Sequence, residues 1–441
     1  MTKPDSVVIF CVGRLTLLRI LDAAVTSQAL NNKYKRDAIM RRSLLTTALS
    51  LTLFSSVQAA DTIRVAHVTD FTGALAPYAE QLHIGMNLGF EYATEGSMTV
   101  EGRKLEVIRK DSQLDPARAR TLVEEAYGED DAHIVVGPVS SGVALATLPL
   151  AEEYERIIMP EGVADAITGD SWNRYVVRVG RNSSQDAVSN AVALGEPGVC
   201  VATIAQDYAF GRDGVAAYRE AMEAEGGRVV HEEYLPLDAT DFTAAAQRLF
   251  GALKDREGCD QGRYIFTIWA GSSNPLSRIK DLEPERHGIQ LAAGGNTLAA
   301  MVGYSAFPGM EGAGSYYFES PDNELNQWLV DAHFERYQQA PDFFTAQGFS
   351  QAMAIVAAVR ESGGSTEAED LIEAFRDLRF ETPKGDMLIR AEDHQALQTM
   401  YHFRIDPQER DDWFADRTVK VGVPELVRTI PMDAMDIPVR N

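Results

Sequence analysis

The chain has 441 residues, 45% of them hydrophobic and 24% charged, which suits two or three domains with real cores. A net charge of −24 excludes a surface built to neutralise phosphates, and with it a nucleic-acid binder. The cysteines and histidines show no zinc-type spacing, so neither a metal nor a cofactor is expected.

The N-terminus comes first in chain order. "MRRSLLTTALSLTLFSSVQAAD", from Met40 to Asp61, has the three parts of a secretory signal. Arg41 and Arg42 supply the positive end, Leu44 to Val57 the apolar core, and Val57-Gln58-Ala59 a small-residue cleavage site. An apolar run of roughly 14 residues is too short to span a bilayer, which takes about 20. Residues 40–59 are therefore expected to be removed on export, and residues 1–39 read as an extension upstream of a complete signal. Cys11 falls in that extension, and no cysteine follows the cleavage site to carry a lipid anchor. Export to an oxidising, periplasmic compartment suggests a disulfide between Cys200 and Cys259, two free buried thiols being the alternative.

The remaining pattern alternates strand and helix. "IRVAHVTD" reads as a strand, and "AEQLHIGMNLGFEYATEG" as an amphipathic helix stopped by Gly96. "KLEVIRKDS" is a strand, and Asp115-Pro116 opens the helix "DPARARTLVEEAYGED". "AHIVVGPVSS" and "RIIMPEGVADAITG" each begin as strands and lead toward helices. After "RYVVRVGRNSSQDA" the alternation restarts with "GVCVATIAQD", "FGRDGVAAYREAMEAEGG", "RVVHEEYLP", "DFTAAAQRLFGALKD", "RYIFTIWAG" and "PLSRIKDL". A third block holds "GAGSYYFES", two helices and the strand-like "HQALQTMYHFRI". Such repetition implies parallel sheets covered on both faces, arranged as two similar α/β lobes that the chain crosses between more than once. In open sheets of this kind ligands bind beyond the carboxyl ends of the strands. That directs attention to Thr69–Tyr78, Gly137–Gly142, Glu161–Asp165, Gln206–Gly211, Trp269–Asn274 and Gly294–Thr297.

Within "IVVGPVSSGVALA", Ser140 and Ser141 stand on a strand-to-helix turn. The glycine spacing of a nucleophile elbow is missing, and no GxxxxGK[ST] loop occurs, which argues against an exported hydrolase and against a phosphate loop. Two readings stay open: a grip on a small anion by free amides and hydroxyls, or a simple helix cap. Phe71, Tyr78, Tyr208, Phe210 and Trp269 recur at the loop edges, where flat rings can cover an apolar group.

Taken with the signal, the segments "VTDFTGALAPYAEQLHIGMNLGFEYA", "KDSQLDPARARTLVEEA", "IVVGPVSSGVA", "PEGVADAITG", "AQDYAFGRDGV", "LDATDFTAAAQRL" and "PKGDMLIRAEDHQ" carry a resemblance over nearly all of residues 61–410. The chain resembles the leucine/isoleucine/valine-binding-protein-like solute receptors of ABC importers, the type I periplasmic binding proteins. The resemblance implies two Rossmann-like doubly wound lobes joined by a three-stranded hinge, with residues 61–180 and 318–385 in lobe 1 and residues 181–317 and 386–441 in lobe 2. It implies that Ser140 and Ser141 hold a ligand carboxylate and that Val163, Ala164 and Asp165 add main-chain and side-chain contacts. Tyr78 would pack on the ligand side chain, and Tyr208, Trp269 and Asn296 would face it from the second lobe. The sequence departs from the amino-acid-binding pattern at Ala164, which has no hydroxyl, and at Gly295-Asn296, which has no carboxylate for an α-ammonium. Asp207 or Glu161 could substitute by facing the cleft. The expected function is capture of a small, partly apolar carboxylate, branched-chain or aromatic, by a monomer that does no chemistry and serves an inner-membrane ABC permease. A ligand sensor for a signalling partner is the alternative role.

Overall fold

The computed structural model describes residues 62–441 apart from 272, 273 and 296. The expected extension and signal, and the site residue Asn296, lie outside the described residues.

Five strands form the first sheet: β1 (Thr62–Thr69), β2 (Thr99–Val100), β3 (Arg103–Asp111), β4 (Ile134–Val136) and β5 (Ile157–Met159). They lie in the order β2-β3-β1-β4-β5, all parallel except β2, which pairs antiparallel at the edge. β1, β4 and β5 read as apolar runs because helices cover them. The connecting helices are α1 (Ala76–Ala93), α2 (Pro116–Gly128) and α3 (Ser141–Glu153). α2 starts where Pro116 permits it, with the Asp115 carboxylate accepting from the amides of Ala117 and Arg118.

After the bridge between Val176 and Ile158 the chain passes through residues 180–182 into the second lobe. There α4 (Ser183–Leu194), β6 (Val199–Gln206), α5 (Ala209–Ala224), β7 (Arg228–Leu235), α6 (Thr243–Leu253), β8 (Gly262–Ile268), α7 (Leu276–Lys280), β9 (Gln290–Ala293), α8 (Leu298–Tyr304) and β10 (Glu311–Gly314) alternate. Every residue of β6 is buried, as befits a strand paired on both sides, with β8 and β7, in the parallel part. Cys200 in β6 and Cys259, just before the neighbouring β8, are joined by a disulfide, with Cα atoms 5.3 Å apart.

The chain then returns as α9 (Glu324–Tyr337), α10 (Phe343–Glu361) and α11 (Ala368–Phe375). α10 lies backbone to backbone on α1: a Cβ on Gly85 would sit 1.9 Å from the Thr345 carbonyl oxygen, and one on Gly348 2.0 Å from that of Leu82. Only glycine permits this approach. β11 (Arg379–Thr382), β12 (Gly385–Ile389) and β13 (Ala396–Leu397) form a small antiparallel sheet. Phe380, Met387, Ile389 and Ala396 share the first lobe's core, and the chain leaves it after β13. These strands are too short to show a face by alternation alone. β14 (Met400–Arg410) and β15 (Val419–Ile430) complete the second sheet, in the order β15-β14-β10-β9-β8-β6-β7. No helix among the described residues is long and apolar enough to cross a membrane.

Candidate ligand-binding cleft

The carboxyl ends of the parallel strands in both sheets open onto one cavity of about 620 Å³. Tyr78, Val139, Ser141 and Val163 line it from the first lobe, and Tyr208, Phe210, Thr267, Trp269 and Gly271 from the second. Arg181, Phe343 and Phe344 close the end beside the crossings.

The serine turn is held from the end of β1. Asp70 is fully buried, and its carboxylate accepts from the Ser140 amide at 2.8 Å and from the Ser112 hydroxyl at 2.6 Å. Burial pushes this carboxyl above its usual range, against those two donors. The Thr69 hydroxyl accepts from the Val139 amide at 3.1 Å and donates to Glu161 at 2.9 Å. The other Glu161 oxygen meets His67 Nε2 at 3.1 Å, and His67 Nδ1 lies 3.0 Å from His83 Nδ1. Burial and the neighbouring His67 lower His83 to about 3, so it stays neutral.

Ser141 sits at the first position of α3, and its Oγ accepts from the amides of Val163 at 3.1 Å and Ala164 at 3.2 Å. Both lone pairs are engaged, so the hydroxyl proton remains to donate toward the cavity that Ser141 lines. The two amides expected from the sequence to hold a ligand are thus committed to Ser141. Ser140 caps α3 from a buried position behind the wall, with no side-chain cap bond. Ala164 is fully buried. Asp165 turns away from the cavity, accepting from Ser184 N at 2.9 Å and Ser184 Oγ at 2.5 Å and pairing with Arg440 at 3.2 Å.

Tyr208, Tyr78 and Trp269 all line the cavity. Tyr208 occupies the N-cap position of α5, and Trp269 follows β8 with Phe242 edge-on at 5.3 Å. Tyr78 stacks on Phe344 at 4.4 Å, and its hydroxyl accepts from the Gly271 amide at 2.8 Å. That bond joins the lobes. A second junction runs from the Ala166 amide to Asp213 at 3.1 Å, and Gly142 leaves room for Tyr208, whose ring edge would lie 4.0 Å from a Cβ there. Of the two substitute acids, Asp207 pairs with Arg212 outside the lining, and Glu161 has a fully buried side chain.

Sequence reasoning misses the charged pair in the lining. Arg181 Nε donates to both Asp186 oxygens, at 2.8 and 2.9 Å, and its guanidinium lies 4.7 Å from the Phe343 ring centroid. Its Nη1 is buried with no hydrogen-bond partner. The pair sits where the chain first crosses, and an arginine five residues before an aspartate matches no helical spacing that would flag it.

The sequence model of a family described as "Periplasmic binding protein" matches residues 62–411. The crystal structure of an ABC-type branched-chain amino acid transporter from Rhodopseudomonas palustris CGA009 is 50% identical in sequence, with a TM-score of 0.75. The match covers 86% of this chain and 99% of that one. The Leu/Ile/Val-binding protein homolog 6 of Brucella suis is 24% identical over 374 residues, 82% of this chain and 92% of that protein. A solute-binding protein of an ABC transporter from Rhodopseudomonas palustris BisB5, solved with 3,4-dihydroxybenzoic acid, shares the fold at 23% identity and a TM-score of 0.71. That match covers 86% of this chain and all of the other, 100%.

Proposed function

We propose, from the premise that the chain belongs to the periplasmic binding protein family, that it captures a small carboxylate between its lobes and delivers it to an inner-membrane ABC permease. The observation that carries this reading is the Ser141 hydroxyl, its oxygen saturated by two amides and its proton left for the cavity. The first amides of α3 lack intrahelical acceptors and add a partial positive charge at the same point. The carboxylate would sit there. Tyr78, Tyr208 and Trp269 would enclose the apolar part, which supports a branched-chain or aromatic skeleton. The branched-chain amino acid assignment of the 50%-identical relative favours the former.

Uptake needs no covalent step. A ligand touching both lobes stabilises the closed arrangement over the open one, and the closed form is what a permease recognises. Micromolar affinity requires only about 8 kcal/mol net, within reach of a few hydrogen bonds and one covered side chain. The protein would work as a monomer in the periplasm after loss of its signal.

Isothermal titration with L-leucine, 4-methylpentanoate, benzoate and 4-hydroxybenzoate tests the reading. At least one should bind with a dissociation constant in the micromolar range or below. Failure of all four to bind would overturn it.

A further inference from the structure

We infer that Asp186 is the specificity-determining acceptor for an ammonium group, so that the cleft takes α-amino acids in preference to simple carboxylic acids. This rests on the carboxylate reading above and deepens it.

The inventory of charges in the wall is short. Among the described residues lining the cavity the acids are Glu161 and Asp186, and the cation is Arg181. Glu161 is unavailable: its side chain is 0% exposed, and each oxygen already meets a donor, His67 or Thr69. The Asp186 side chain is 31% exposed, and the hydrogen bonds to its carboxylate come from Arg181 Nε. Each Asp186 oxygen therefore keeps a lone pair for a ligand. Arg181 acts here as a positioning residue, braced on Phe343 and fixing the carboxylate that it does not fully neutralise.

Net charge then decides which ligand fits. A bare carboxylate would add a negative charge to a wall whose described charges are Glu161, Asp186 and Arg181, with Arg181 Nε already given to Asp186 and Asp70 buried just behind Ser140. An uncompensated charge in such a site is strongly disfavoured. A zwitterion adds no net charge: its carboxylate meets Ser141 at the start of α3, and its ammonium meets Asp186 in the first turn of α4. Burial also pushes the Asp186 carboxyl upward, a penalty that a bound ammonium relieves. The grip on the amine thus comes from the crossing segment, not from the loops at Ala164 and Asn296 where the sequence pattern leads one to look.

The decisive comparison is L-leucine against 4-methylpentanoate, the same skeleton without the amine. The wild-type protein should bind leucine about 100-fold more tightly or better. In Asp186→Asn the ratio should fall below about tenfold, and Asp186→Glu should restore part of it. Thermal melting of the unliganded variants reports whether they fold, and the wild-type ratio stands whatever the variants do. A wild-type ratio under tenfold, or a folded Asp186→Asn protein that keeps the full ratio, overturns the assignment. Tightest binding by 4-hydroxybenzoate also overturns it, since Asp186 would then serve a hydroxyl donor. Binding of 4-methylpentanoate or benzoate without leucine would leave the carboxylate reading intact and defeat this one alone; no binding by any of them defeats both.

Discussion

Ser141 and Ser140 are neighbours in sequence with different jobs. Ser141 uses its side-chain oxygen to tie down the amides of Val163 and Ala164, whereas Ser140 engages Asp70 through its backbone. Ser141→Ala should leave two buried amides unpaired, lowering stability by about 1–3 kcal/mol. Ligand affinity should also drop by at least about tenfold, because a charge-assisted hydrogen bond is lost. Ser140→Ala should change affinity by less than about threefold, since its backbone bond to Asp70 survives. Melting curves and titration of both variants check this, and equal losses would refute the division of labour. The serine pair was legible because a strand, a turn and a helix start coincide on it. Asp70 and Arg440 were not, because their partners Ser140 and Asp165 stand far away along the chain, and only folding brings them together.

At the scale of elements, alternating apolar runs and helix signals carry both sheets, and the two cysteines fall in β6 and just before its neighbour β8. The disulfide closes a loop with a sequence separation of 59 residues. In the loop-entropy picture such a link contributes about 4 kcal/mol. Reduction should therefore lower the melting temperature by several degrees, and an unchanged melt in reductant would count against it. The crossings were harder to place, because the residues that meet there are polar and buried. Lys384, between β11 and β12, is buried and donates to Gln398 at 2.6 Å in the last crossing. Burial, aided by Arg181 in the first crossing, lowers it to about 7. The unfolded lysine keeps its proton to near pH 10.4, so between pH 7 and pH 10 the unfolded state binds a proton that the folded state does not. Stability should rise with pH across that window. Lys384→Met should remove this rise and raise stability at pH 7 by a few kcal/mol, on the order expected from such a shift. Urea unfolding at pH 7 and pH 9.5 decides it: parallel pH responses in the two proteins would rule the lysine out.

For the molecule as a whole, the lobes meet through Tyr78 and Gly271 and through Ala166 and Asp213. Tyr78→Phe removes the hydroxyl that accepts from Gly271 while keeping the ring on Phe344. The unliganded variant should scatter X-rays as a more open particle, with ligand affinity weakened about five- to tenfold by loss of one interlobe hydrogen bond. An unchanged radius of gyration would show that this bond does not bias closure. The glycine contact between α1 and α10 has a different consequence, in time rather than in space. The face of α1 at Gly85 and Gly89 fits the backbone of residues 345–352, more than 250 positions later. Until that distant segment has been made, the first lobe cannot complete its core, so a chain emerging N-terminus first stays unfinished through most of its synthesis. Its long-range topology postpones completion of the native state until most of the chain has been made.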